Sequence, residues 1–350
     1  MLLLLALGCE SENVLHRTNE TEAVVIGYGD VSGRVCDPTG YTWLEGATVY
    51  ANLYDNLGWL EDVVSTTTDE TGYWALRDLP DAADVEIFIQ KGTEVVETHE
   101  VKIRAGRVTK IDEPACLDPA TLDIAVISGN YDDFDRVLDH MGITDYAIID
   151  GLDQNELTSF LTSPEAMADY DLLFFNGGHI EEDIVWTSDS TNTTPAEVQE
   201  NLRQFVVEGG HVYASDWAYD VIVQTWPDKL DFLGAEGFPD DAQLGTTQTV
   251  NAAITNYSLA TFMEDEDQYL PITYDLPVWP PLVNVSNTVS IHLTADIEYR
   301  ENGVVNYQAG SPLLVSFNGG GGRVVFSSFR MVANDNEDVI KVMKYVMFAL

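Results

Sequence analysis

Two periods of apolar and polar residues run along this chain. From Val31 to about Pro114 the alternation is twofold. Val31-Ser-Gly-Arg-Val-Cys36, Ala47-Thr-Val-Tyr-Ala-Asn-Leu53, Glu86-Ile-Phe-Ile-Gln90 and Val101-Lys-Ile103 each read as a short strand. Successive side chains of a strand point to opposite faces, so only alternate positions need to be apolar. Turn residues at Asp37-Pro-Thr-Gly40, Asp69-Glu-Thr-Gly72, Lys91-Gly92 and Ala105-Gly106 separate the runs. This spacing predicts a small antiparallel β-sandwich.

From Leu122 onward, short continuous apolar runs alternate with helical stripes. Asp123-Ile-Ala-Val-Ile-Ser-Gly129, Tyr146-Ala-Ile-Ile149, Leu172-Leu-Phe-Phe175 and Val212-Tyr-Ala214 predict strands apolar on both faces, as central parallel strands must be. Between them, Tyr131, Phe134, Val137, Leu138 and Met141 share one helical face, and Gly142 ends that helix. Thr194, Pro195 and Glu197 read as the N-cap, first turn and capping box of another helix. Its stripe is Val198, Leu202, Phe205 and Val206, with Gly209 after its end. Pro312 to Phe317 and Arg323 to Ser328 flank Gly319-Gly-Gly-Gly322 as a hairpin. A last helix carries Val339, Val342, Met343, Val346 and Leu350. The expected architecture is multidomain: an N-terminal antiparallel β-sandwich over 31–114, a linker at 115–121, and an open, mainly parallel α/β sheet over 122–350.

Composition changes the picture in one respect. The 350 residues include 59 acidic and 16 basic side chains, a formal net charge of −43. That field repels nucleic acid and anionic lipid head groups, so a nucleic-acid partner is excluded as an expectation. The acids are scattered, as on a solvated surface, and no EF-hand loop pattern is present.

The first thirty residues read as an export signal and tether. Met1-Leu-Leu-Leu-Leu-Ala-Leu-Gly-Cys9 is apolar but too short to span a bilayer. Ala6-Leu7-Gly8-Cys9 resembles the bacterial lipobox, which implies a lipidated Cys9 and a membrane partner through that anchor. Ala6 and Leu7 depart from the preferred residues of that motif. The alternative is a plain secretory signal. The expected location is the cell envelope, at the outer membrane or in the periplasm. Cys36 and Cys116 are then the remaining pair; they bracket the first domain, and in an oxidising compartment they read as a disulfide.

Two family resemblances follow from these segments. Gly33-Arg-Val, Leu44-Glu-Gly-Ala-Thr-Val49 and Thr68-Asp-Glu-Thr-Gly-Tyr-Trp74 with Leu79-Pro80 resemble the carboxypeptidase regulatory-like domain, a transthyretin-like β-sandwich. That resemblance implies an accessory rather than a catalyst. The Tyr170 to Gly178 strand and turn, the Leu202 to Gly210 helix and the Gly322 to Phe329 strand resemble the class I glutamine amidotransferase-like superfamily with its ThuA-like branch. This implies a flavodoxin-like sheet. Amidotransferases carry a cysteine on a strand-to-helix elbow, with a histidine downstream. Here the matching elbow is Ala214-Ser-Asp-Trp217, and the downstream His-x-Glu is absent.

Ligands of open α/β sheets sit at the carboxyl ends of the strands. Asn130, Asn176, Gly177, Gly178, His179, Ser215 and Asp216 are therefore the candidate ligand-binding set for a small polar or carbohydrate ligand. Ser215, Asp216 and His179 are the catalytic candidates, with His179 or His292 as the base that Ser215 would need. The opposing reading has Ser215 and Asp216 capping the next helix. His179, Glu181, Glu182 and Asp183, with Asp132 or Asp216, are the candidate corner for a divalent cation; a solvated acidic loop is the preferred reading, because no ligand spacing is diagnostic. Trp217, Tyr219, Trp226, Tyr274 and Trp279 read as packing. The sequence favours a non-catalytic binding or structural role at the envelope. A hydrolase acting from the Ser215 and Asp216 elbow is the first alternative, and a cation-dependent carbohydrate-binding protein the second.

Overall fold

The computed structural model of the chain describes residues 27–37, 43–54, 59–81, 85–91, 94–116, 122–234, 242–263 and 269–348. Cys9 and the segment expected to be a lipobox lie outside the described residues, as does most of the expected tether.

The first domain comprises β1 (Tyr28–Cys36), β2 (Thr48–Tyr54), β3 (Leu60–Thr67), β4 (Tyr73–Pro80), β5 (Val85–Lys91), β6 (Glu94–Val101), β7 (Val108–Lys110) and β8 (Ala115–Cys116). One sheet runs β4-β1-β7 with β8 also on β1; the other runs β3-β2-β5-β6. Val31, Val35, Leu76 and Ala115 from the first sheet and Val49, Ala51, Ile87 and Ile89 from the second meet in one buried cluster. The expected antiparallel sandwich is corrected in one detail. β7 and β8 pair with β1 in parallel, because the chain crosses from the second sheet before returning along β1. The boundaries also move: β1 begins at Tyr28, and Ala115–Cys116 belongs to the sandwich rather than to a linker. Val101-Lys-Ile103 does not form a strand of its own; Val101 ends β6.

The turn before β4 follows from its chemistry. Asp69 Oδ1 accepts the Thr71 and Tyr73 backbone N–H groups and the Thr71 hydroxyl. Gly72 has φ +65°, and a Cβ there would lie 2.3 Å from the Val35 carbonyl oxygen. Of the two aromatics that follow, Trp74 enters the core and Tyr73 stays exposed. Trp74 lies opposite Gly33, where a Cβ would meet the indole at 2.8 Å.

Cys36 and Cys116 are direct partners in the β1–β8 ladder and form a disulfide, with Cα atoms 4.3 Å apart. The bond closes a loop with a sequence separation of 80. A two-residue strand holds the chain end weakly by itself, so the bond keeps β8 on β1. Reduction, or Cys116→Ser, is expected to lower sandwich stability by about 2–4 kcal/mol. Urea unfolding with and without reductant checks this; coincident curves would show that the bond does not stabilise the domain.

The second domain comprises β9 (Ile124–Ile127), α1 (Phe134–His140), β10 (Ala147–Ile149), α2 (Gln154–Leu161), α3 (Pro164–Met167), β11 (Leu172–Phe175), α4 (Thr194–Val207), β12 (His211–Ser215), α5 (Tyr219–Thr225), β13 (Leu230–Phe232), β14 (Gln248–Ile254), α6 (Tyr257–Met263), β15 (Tyr269–Tyr274), β16 (Leu282–Val285), β17 (Ser290–Glu301), β18 (Val304–Asn318), β19 (Arg323–Ser327) and α7 (Glu337–Phe348). A nine-stranded sheet has the order β10-β9-β11-β12-β19-β18-β17-β14-β15. From β10 to β19 all neighbours are parallel. From β19 to β15 all are antiparallel. The sheet is therefore mixed rather than mainly parallel. The antiparallel half comes from the segment after Phe232, in which β17-β18 and β18-β19 join as hairpins while α6 lies between β14 and β15.

Alternate side chains of the central strands enter two cores. Ile124, Val126, Phe174, Tyr213 and Val325 face α1, α6 and α7. Ala125, Ile127, Phe175, Ala214 and Phe326 face α2, α4 and α5. Two sequence expectations shift here. Tyr131 lies before α1, not on it, and its ring packs on Trp217 at 4.8 Å. At α4 the cap residue is Thr193, with no side-chain cap bond of its own, and Asn192 Oδ1 accepts the Thr194 N–H at 3.0 Å. Asn192 is placed two residues back, so its short amide reaches that N–H directly.

Candidate functional site

The carboxyl ends of β9, β11, β12 and β19 converge, and the alternation of faces decides what meets there. Ser215 follows Ala214 and so shares the face of Tyr213. Its Oγ donates to Asp132 Oδ2 at 2.8 Å. Asp132 also accepts the backbone N–H groups of Met331 (3.1 Å), Val332 (3.0 Å) and Asp133 (3.1 Å). One buried carboxyl thus ties the turn after β9 to β12 and to the segment after β19. Burial raises the Asp132 pKa, and its hydrogen bonds oppose that rise.

Asn176 also has a structural partner: its Oδ1 accepts the N–H of Phe134 at the start of α1. The carbonyls of Gly177 and Gly178 accept the N–H groups of Tyr131 and Asn130. Gly178, at φ +86°, has no room for a side chain, since a Cβ would lie 2.4 Å from the Tyr131 ring.

His179 goes to the other face. Its ring lies 5.6 Å from that of Phe175, and Nδ1 is 3.1 Å from the Asn176 carbonyl oxygen. Nε2 has no partner, and burial pushes the imidazole down to about 4, so it is neutral at pH 7. His292 is bonded to Ser316 within the antiparallel half, and burial likewise pushes it down to about 4. Neither histidine is the hydrogen-bond partner of Ser215, and a serine nucleophile needs such a base. Ser215 does not cap a helix either: its side chain makes no cap bond, and α5 starts from Ala218.

Asp216 occupies the elbow itself. Its φ is +47°, a left-handed conformation uncommon outside glycine. It is buried, and Oδ1 has no hydrogen-bond partner. Burial, then the negative charge of Asp132, raise its pKa well above the carboxylate range; Arg330 acts the other way. Arg330 follows β19. Its Nε donates to Asp275 Oδ1 at 2.8 Å, its Nη2 donates to Asp275 Oδ2, and its Nη1 donates to the Tyr131 carbonyl at 2.6 Å. That pairing holds the Asp275 carboxyl below its ordinary value.

Arg330 and Asp275 were missed in the sequence because no motif contains them. The signal was topological: β19 is a parallel neighbour of β12, so its carboxyl end belongs to the same edge.

The space at this edge is small. Asp216, Tyr274, Asp275, Trp279 and Arg330 line a hollow of about 10 Å³, which is at the threshold for a single water. A depression of about 850 Å³ lies at the amino ends of the strands. Leu122, Asp171, His211 and Arg323 line it from the second domain, and Trp43 and Glu70 from the first. Among the described residues no group of three or more His, Cys, Asp or Glu is placed to hold a metal ion, which includes the corner around His179 to Asp183. Tyr274 and Trp279 are buried and stacked at 3.7 Å, and Tyr219 is buried against Phe232. These three aromatics are packing.

No family model and no curated relative matches the chain. Among solved structures, it is similar to a ThuA-like protein of Parabacteroides merdae, with TM-score 0.41 and 12% identity over 65% of this chain and 90% of that one. A ThuA-like protein of Bacteroides uniformis gives TM-score 0.39 and 8% identity over 63% and 88%. PurLQS of Thermotoga maritima gives 0.37 and 14% over 65% and 98%.

Proposed function

We propose that this chain is an exported, lipid-anchored protein of the cell envelope, and that its second domain is an amidotransferase-like, ThuA-like α/β unit with a non-catalytic binding or structural role. The observation that carries the reading is the use of Ser215. Its hydroxyl is fully buried and given to Asp132, while His179 lies on the opposite face of the sheet. A nucleophile must be reachable and must face a free base; Ser215 is buried, and its partner is the Asp132 carboxyl, already engaged by three backbone N–H groups, rather than a histidine. Export is supported by the Cys36–Cys116 disulfide, since such bonds persist in oxidising compartments.

The test is chemical. Glutaminase activity is expected to be absent, and a serine-directed fluorophosphonate should not label Ser215. Labelling that disappears in Ser215→Ala would restore the hydrolase. The anchor has its own test. In a bacterial host, the full chain should enter the detergent phase on partition, and Cys9→Ser should return it to the aqueous phase. Equal partition of both forms would leave a plain secreted protein.

A further inference from the structure

The hollow at the strand ends joins three groups that the role of Ser215 leaves unexplained. Arg330 presents a two-pronged guanidinium, fixed from behind by the Tyr131 carbonyl. Asp216 presents a buried carboxyl whose Oδ1 has no partner. Asp275 fills the guanidinium fork with both carboxylate oxygens. The side chain of Asp275 is 43% exposed, against 16% for Arg330. The cation therefore belongs to the body of the domain, and the anion sits at its rim. A planar fork of this kind recognises any carboxylate of matching geometry.

We propose that this hollow is a receptor for a small carboxylate, and that Asp275 is the internal carboxylate that occupies it in the closed form. An external carboxylate takes the place of Asp275 on Arg330, and one of its oxygens accepts a hydrogen bond from Asp216. The inference rests on the reading of the strand ends as a binding site and adds the ligand class.

Three observations favour this over an ordinary surface ion pair. A buried carboxyl without a partner is rare, because the desolvated group loses its water bonds. Burial and then the negative charge of Asp132 raise the Asp216 pKa well above its ordinary value, which favours the protonated form that can donate. The groups charged around it are Asp132, Asp275 and Arg330, and Arg330 is the cation among them. The charge on the whole chain repels anions at long range. Selective capture of one therefore needs a local cation with Asp275 moved aside. Leu276 and Pro277 follow Asp275, and a residue before proline favours extended backbone. The Asp275 side chain can leave the fork by rotation without melting a helix.

The experiment compares thermal midpoints of the full chain in sodium acetate and in sodium chloride at equal ionic strength and pH 7. In Asp275→Ala, acetate should raise the midpoint by about 3 °C more than chloride does. Acetamide, which has the same shape without charge, should give no such rise. Wild type should respond at least tenfold more weakly, since Asp275 competes. The response of Asp275→Ala should disappear when Asp216→Leu is added and should weaken with Arg330→Lys. Asp275→Ser replaces the alanine variant if that does not fold. The proposal is overturned if acetate and chloride act alike on a folded Asp275 variant, or if the response persists unchanged with Asp216→Leu. A negative acetate result with Ser215 unlabelled would leave the non-catalytic role standing. Labelling of Ser215 would remove that role without touching the acetate result.

Discussion

Asp132→Ala is expected to lower the unfolding free energy by about 5 kcal/mol, and Ser215→Ala by only about 1 kcal/mol. The difference follows from who depends on whom. Asp132 accepts from the Met331 and Val332 backbone, from Asp133 and from the Ser215 hydroxyl. Removing the carboxyl leaves those donors in a buried place without an acceptor, and each such loss costs about 1–3 kcal/mol. The desolvation cost of Asp132 itself is recovered, which keeps the total below the sum of the parts. Removing Ser215 deletes one donor of four and leaves Asp132 held by three. Urea unfolding at pH 7 reads both values. A loss under about 2 kcal/mol in Asp132→Ala would mean that water replaces the carboxyl and that the strand ends are open. A large loss in Ser215→Ala alone would point to a role for the hydroxyl beyond this bond.

That asymmetry also marks where the sequence could be read and where it could not. β11 and the β18–β19 hairpin are visible because parallel strands buried on both faces must be apolar throughout, and because four consecutive glycines leave the chain no regular structure. Cys36 and Cys116 were readable as a pair because only one other cysteine exists. The antiparallel half of the sheet was not legible. β14, β15 and β17 alternate buried and exposed positions, as strands with one solvated face do, but their partners lie far along the chain, so the alternation alone does not give the pairing.

The elbow was located at Ala214 to Trp217, with Ser215 as the nucleophile only of the alternative, hydrolase reading. The backbone places the left-handed residue one position later, at Asp216. Ser215 is still the last residue of β12 and points into the Tyr213 face. A one-residue step along a strand reverses the face, so this detail decides what Ser215 can touch. His179 and Ser215 were joined in one cleft for the same reason. Both lie at the carboxyl ends of strands, but they turn to opposite sides of one sheet, and a linear sequence does not carry that sign.

Asp216→Asn is expected to stabilise the protein at pH 7 and to leave it nearly unchanged at pH 4. The sign follows from proton counting. Burial and the negative charge of Asp132 raise the folded-state pKa of Asp216 well above that of an unfolded aspartate, about 3.9. Below the unfolded value both states hold the proton, and the residue contributes no pH dependence. Above it the unfolded chain releases the proton while the native state keeps it. Native stability then falls by up to about 1.4 kcal/mol per pH unit until the folded pKa is reached. Asparagine fills the same space and has no proton to lose, so the variant escapes this slope. Exposed carboxyls such as Asp69 and Asp189 are lowered by their own hydrogen bonds and act in the opposite direction. The informative quantity is therefore the difference between variant and wild type, measured by urea unfolding from pH 4 to pH 8. A difference that grows with pH means that the native protein retains a neutral acid at a strained backbone position, at a cost in stability. A flat difference means that Asp216 is ionised in the folded protein, and it could then no longer donate a proton to a bound carboxylate.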